Sequence, residues 1–124
     1  MNVPSNLKYT DKDEWLLVEG NTGTVGITDH AQEQLSDIVF VEILVSVGDI
    51  VKPGDNCATV ESVKAAADVY MPAGGKVIAV NEALSDAPET INSDPYGAAW
   101  LVKLEVSELG DLMDAAAYTA KIQE

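Results

Sequence analysis

The sequence predicts a mainly β protein with peripheral helices and a helical C-terminus. Three observations carry that prediction. Short runs rich in branched apolar residues recur from Trp15 to Val106. Gly, Pro and Asn punctuate the gaps between them. Helical spacing is confined to a stretch after Thr28 and to the end of the chain.

In order along the chain, "WLLVEG" and "TGTVGI" flank Gly20 and Asn21, which read as the turn of a hairpin. Thr28 is placed to cap "DHAQEQL", where Ile27, Ala31 and Leu35 recur at helical spacing. "DIVFVEILV" is a nearly continuous apolar run and reads as a strand buried on both faces. "VKPGD" is a turn, with Pro53 presetting one dihedral and Gly54 tolerating the next. "NCATVESV" and "AADVYMP" flank Lys64 as the two arms of a hairpin.

"PAGGKVIAV" is expected to turn at Gly74 and Gly75 into another strand. "VKPGDNCATV" and "MPAGGKVIAV" echo one another around Lys64 and suggest two similar sheet halves. Prolines at 88 and 95 leave room for at most a short helical turn in "SDAPETINSDPYG". "WLVKLEV" alternates, with Trp100, Val102, Leu104 and Val106 on one face and Leu101, Lys103 and Glu105 on the other. Ser107 is expected to cap a helix over "ELGDLM", and Asp114 a second over "AAAYTAKIQE". The 124 residues suit one domain over 1–124, with a helical segment from about 107 to 124.

Charge bounds the function. There are 21 acidic and 7 basic residues, a formal net charge of -14, and every basic residue is lysine. Clustered positive charge, which phosphate binding needs, is missing, so nucleic acid is not an expected partner. An anionic membrane surface would repel the chain. Acidity favours attraction to partners with basic faces. Cys57 is the only cysteine, so no internal disulfide forms, and its apolar neighbours imply a buried, inert thiol. "MNVPSNLKY" has neither an apolar signal core nor an arginine-rich transit pattern, and no apolar run matches a membrane span. A cytoplasmic protein is expected.

No enzyme constellation emerges. His30 is the only histidine and sits in the first turn of a helix. No phosphate loop, dinucleotide-binding glycine pattern or EF-hand spacing is present, and one Cys with one His is poor support for zinc. Catalytic residues and metal ligands are expected to be none. Lys64 stands out instead. An amine at a hairpin tip, followed by Ala65, Ala66 and Ala67, is exposed and leaves room for a modifying enzyme. Rigid strands on both sides would give an attached arm a defined pivot.

"ESVKAAAD" followed by "PAGGKV" resembles the lipoyl attachment region of the glycine cleavage system H-protein family, within the wider biotinyl/lipoyl carriers. The resemblance continues through "LKYT" with Glu14-Trp15, "TVGITDHAQEQL", "DIVFVE", "VNEALSDAPETIN", "DPYGAAWLVKL" and "SELGDLMDAAAY". It implies a barrel-sandwich hybrid, or hammerhead, whose lipoyl hairpin bears the attachment lysine. It implies lipoic acid amide-linked to Lys64, with Glu61 helping to present that lysine to a lipoate-attaching enzyme. Glu14 and Asp68 are the carboxylates it nominates to contact the loaded, cationic arm.

The implied role is that of a non-catalytic carrier. It takes the aminomethyl group of glycine from a pyridoxal-phosphate glycine decarboxylase (P protein) to a tetrahydrofolate-dependent aminomethyltransferase (T protein). A dihydrolipoyl dehydrogenase (L protein) then reoxidises it. Competing readings are a related lipoyl-relay or redox-defence carrier and an interaction module whose Lys64 is never modified. The chain departs from the family's usual pattern in three places. Asp13 stands where a histidine is usual, "ILVSVG" lacks the common proline, and Gly74 replaces a common serine.

Overall fold

The computed structural model describes residues 2–123. Its nine strands form two sheets. Strands β1 (Lys8–Tyr9), β2 (Glu14–Glu19) and β3 (Thr22–Ile27) form an antiparallel meander, with the β2–β3 turn at Gly20–Asn21 as expected. Helix α1 (Asp29–Leu35) follows, and the Thr28 side chain accepts from Ala31 N. Then come β4 (Ile38–Ile43), β5 (Ile50–Val51), β6 (Asn56–Ser62), β7 (Ala66–Tyr70) and β8 (Ala73–Val80). Helices α2 (Ala83–Asp86) and α3 (Thr90–Ser93) are single turns on either side of Pro88. Strand β9 (Val102–Leu109) and helix α4 (Ala115–Ile122) complete the fold.

One sheet has the order β1-β2-β3-β9-β8-β5, the other β4-β6-β7. The two echoed segments place their strands, β6 and β8, in different sheets, on either side of the lysine hairpin. The main core lies between the sheets and includes Val25, Val60, Val77, Leu101, Val102 and Leu104. A second apolar cluster gathers Leu7, Tyr9, Trp15 and Tyr118, joining the N-terminal segment to α4. Cys57 is fully buried, and burial pushes its thiol up to about 12. Among the described residues no helix is long and apolar enough to cross a membrane.

Four sequence expectations are corrected. Strand β4 is not buried on both faces: it is the edge of its sheet, and Val39 and Phe40 are 54% and 45% exposed. A register shift between Ile38 and Phe40 breaks the alternation, so Ile38 and Val41 face the core while the two residues between them face out. Gly74 and Gly75 do not make a turn. They lie within β8 at a register shift, where Gly75 has φ 154. Leu101 precedes β9 and is fully buried with Val102 and Leu104, while Trp100 is half-buried in the second cluster under Lys103 Nζ at 4.8 Å from its ring centroid.

The fourth correction concerns Ser107. It caps no helix, because β9 runs on through Ser107 to Leu109, with Glu108 opposite Gly74 and Leu109 opposite Ala73. Gly110 would have sat inside the expected helix, where glycine is unfavourable. Instead its N–H donates to Pro72 O at 2.9 Å. Met113 then exchanges both backbone hydrogen bonds with Tyr9, at 2.8 and 2.9 Å. The helical segment is therefore limited to α4, with Asp114 accepting from Ala117 N at 2.8 Å.

A Cβ on Gly75 would overlap the carbonyl oxygen of Glu105 on β9, and the backbone there is in a region L side chains rarely adopt. Gly75→Ala is expected to destabilise the fold by more than about 3 kcal/mol. Urea denaturation would show this as a lower midpoint, and an unchanged midpoint would contradict it.

Candidate functional site

The site is built on the β6–β7 hairpin, with Thr59 opposite Asp68, Val60 opposite Ala67 and Glu61 opposite Ala66. Val60 is buried in the core and anchors the hairpin, while Glu61 faces solvent. The tip is organised by Ser62. Its N–H donates to Ala65 O at 2.7 Å, and its hydroxyl donates to the same oxygen at 3.1 Å. The same Oγ accepts from Lys64 N at 3.2 Å and Ala65 N at 3.0 Å. A serine side chain that mimics a backbone turn in this way restricts the loop without needing glycine. Val63 N donates to Asp37 O at 3.0 Å, so the segment after α1 buttresses the tip.

Lys64 is exposed at the tip, as are Ala65 and Ala66 beside it. The lysine therefore meets the steric requirement for an acylating enzyme, and its backbone is held by Ser62. Ser62 was not singled out from the sequence. The available signal was a serine two residues before the lysine, a spacing that suits a side-chain-closed turn.

Beside the hairpin lies a cavity of about 180 Å³. Lys12, Asp13 and Glu14 form one wall, Ala31, Gln34 and Leu35 of α1 another, and Ala67, Asp68 and Val69 of β7 a third. The structure thus brings Glu14 and Asp68 to one cavity across the two sheets. Glu61 does not line it. Asp68 is exposed, and Thr59 Oγ1 donates to it over a long 3.4 Å. Glu14 is 2% exposed. Its Oε1 accepts from the Thr10 hydroxyl at 2.6 Å and its Oε2 from Tyr70 N at 2.9 Å. A second, open cavity of about 450 Å³ lies on the other side of Glu14 and Lys12. There Lys12 Nζ sits 5.5 Å above the Tyr70 ring.

This carboxylate environment suits a small cationic group. Burial pushes the Glu14 carboxyl above its ordinary value. The hydrogen bonds from Thr10 and Tyr70 oppose that shift, Asp13 adds to it, and Lys12 opposes it. A positive group entering between Glu14 and Asp68 would stabilise the Glu14 carboxylate.

Comparison with known proteins decides the family. The family model described as glycine cleavage H-protein matches residues 7–124. The chain belongs to the glycine cleavage H-protein family. It is 54% identical to the glycine cleavage system H protein of Photorhabdus laumondii over 127 aligned positions, covering 99% of this chain and 97% of the relative. It is 53% identical to that of Cronobacter sakazakii, covering 99% and 98%. A crystal structure of a glycine cleavage system H protein from Mycobacterium marinum superposes with a TM-score of 0.91 at 38% identity, covering 98% of this chain and 99% of that one. The two-sheet architecture is accordingly the barrel-sandwich hybrid that the resemblance implied. Membership makes the chain a non-catalytic carrier component of the glycine cleavage system.

The sign of the Glu14 shift yields a pH prediction. Burial penalises the charged form, so Glu14 favours the fold most when protonated. That contribution is complete below the ordinary pKa of 4.5 and is lost as pH rises through the higher folded value. Titration of the Glu14 carboxyl carbon by NMR in the folded, unmodified protein should show a midpoint above 4.5. A midpoint at or below that value would contradict the burial argument.

Proposed function

We propose that Lys64 carries an amide-linked lipoyl group and that the chain shuttles the aminomethyl group of glycine in the cytoplasm. Its partners are a pyridoxal-phosphate glycine decarboxylase, a tetrahydrofolate-dependent aminomethyltransferase and dihydrolipoyl dehydrogenase. When bound, the lipoyl group supplies the group-transfer and redox chemistry, as cofactors generally do. The observation that carries the reading is the exposed Lys64 on a turn closed by Ser62, beside a cavity that joins Glu14 to Asp68.

Each residue has a distinct task. Ser62 holds the Lys64 backbone so that the side chain projects from a defined base. Ala65 and Ala66 keep the approach clear for the lipoate-attaching enzyme, and exposed Glu61 helps that enzyme find the lysine. Asp68 follows Lys64 by four residues, a separation of at most about 13 Å along a strand. That distance is within the reach of a lysine side chain extended by an eight-carbon acyl chain. Asp68 and Glu14 then hold the cationic amine by charge-assisted hydrogen bonds and shield it from water. The formal net charge of -14 steers the carrier toward basic partner faces and keeps contacts transient in salt.

Intact-mass measurement after incubation with a lipoate ligase and lipoate tests the attachment. The expected mass gain is one lipoyl group in the parent and none in Lys64→Ala. No gain in the parent, or a gain that survives the substitution, rules out the site. The lipoylated protein should also support glycine-dependent CO2 exchange with glycine decarboxylase, and failure there would overturn the carrier role. For the holding role, Asp68→Asn should release the aminomethyl group several-fold faster from the loaded protein, consistent with losing about 1 kcal/mol of a charge-assisted contact. An unchanged release rate would remove Asp68 from the site.

A further inference from the structure

Two walls of the Glu14–Asp68 cavity are fastened by a residue that lines neither. Tyr118 on α4 is fully buried, with its ring stacked on Tyr9 at a centroid distance of 4.7 Å and 8° between planes. Its hydroxyl donates to Asp13 Oδ1 at 2.8 Å. Thr28 Oγ1 lies 2.7 Å from the same hydroxyl. A phenol has one proton to donate. With that proton committed to Asp13, the Tyr118 oxygen accepts from the Thr28 hydroxyl. Thr28 Oγ1 still has a lone pair for Ala31 N, at 3.2 Å, in the cap of α1. The hydrogen bonds therefore run in one direction, from Thr28 through Tyr118 to Asp13, an arrangement in which each bond strengthens the next.

Asp13 is held in an uncommon conformation, with φ 69. Asp tolerates this region better than most residues. Its carbonyl accepts from Thr28 N at 3.0 Å, so Thr28 and Tyr118 grip it from backbone and side chain together. One residue later Glu14 turns inward to Thr10 and Tyr70 N. Asp13 and Glu14 belong to the loop wall of the cavity, and the helix capped by Thr28 supplies the opposing wall. The Asp13 carboxylate thus has a defined partner.

We infer that Tyr118 is a positioning residue: its hydroxyl sets the spacing of the loop and α1 walls, and through it the grip of Glu14 and Asp68 on a cationic amine carried on Lys64. The inference rests on the proposed holding role of that cavity. Tyr118→Phe keeps the stacked ring and removes only the hydroxyl. Asp13→Gly removes the carboxylate while accepting the left-handed backbone, and Asp13→Asn retains an oxygen acceptor.

Amide hydrogen exchange on the unlipoylated full chain reads the wall linkage alone. The amides of Thr28, Ala31 and Tyr70 should exchange roughly tenfold faster in Tyr118→Phe and Asp13→Gly than in the parent. Asp13→Asn should restore near-parental rates, and amides of the β8–β9 ladder should not change in any variant. Parental rates at those three amides, or acceleration spread evenly over the ladder, would overturn the inference. In the loaded, lipoylated protein Tyr118→Phe should also release the aminomethyl group faster, as Asp68→Asn does. If Asp68→Asn speeds release and Tyr118→Phe does not, the positioning role fails. If the three amides loosen but neither variant alters release, the holding role itself fails and the positioning of cargo fails with it.

Discussion

Strand β9 has to satisfy two ladders at once. On one side it pairs with β3, from Thr22 opposite Glu105 to Val25 opposite Val102. On the other it pairs with β8, from Ala73 opposite Leu109 to Val80 opposite Val102. The N-terminal meander joins the rest of the larger sheet through this strand, with Leu101 N just before it donating to Val25 O at 2.7 Å. A slip of one residue would exchange buried Val102 and Leu104 for Lys103 and Glu105, so the core defines the register. Strand β8 adapts to it with register shifts at Gly74–Gly75 and Val77–Ala79. Such irregularities bend and twist a sheet, here over the three-stranded sheet beneath it.

The functional geometry follows from that junction. The larger sheet delivers the loop ending in Glu14, and the smaller sheet delivers the lysine hairpin. Glu14 crosses between them by accepting from Tyr70 N on β7. Burying a carboxyl is costly unless its oxygens are hydrogen-bonded, and both are. The carrier therefore has a firm polar joint under the cavity and an exposed lysine at the far end of the hairpin. A joint that is firm at the base and accessible at the tip suits the attachment proposed for Lys64.

The parts of this arrangement that depend on near neighbours were legible in the chain. The Lys64 hairpin, the Gly20–Asn21 turn and the Thr28 and Asp114 caps each announce themselves within a few residues, and each is present. The parts that depend on a distant strand were not. Ser107 has the local signature of a cap, yet β9 continues through it because Glu108 and Leu109 find partners in Gly74 and Ala73. The apolar run at β4 looks doubly buried, yet it has a neighbour on one side only. Gly74 and Gly75 resemble a turn, yet the close approach of Glu105 explains why Gly75 bears no side chain.

The site divides along the same line. Lys64, Glu14 and Asp68 were nominated through residue type and family resemblance, because an amine at a turn and a carboxylate are properties of individual side chains. Their meeting in one cavity, the burial of Glu14 and the partner of Asp13 were not, because they arise from contacts such as Asp13 with Tyr118, 105 positions apart. By itself the sequence determined the strand-rich character, the acidic surface and the lysine at a tight turn, since local periodicity, composition and turn chemistry need no distant partner. Tertiary structure decided which strands became edges, where the last helix begins and which carboxylates share a cavity, since hydrogen-bond ladders and burial are settled only when remote segments meet.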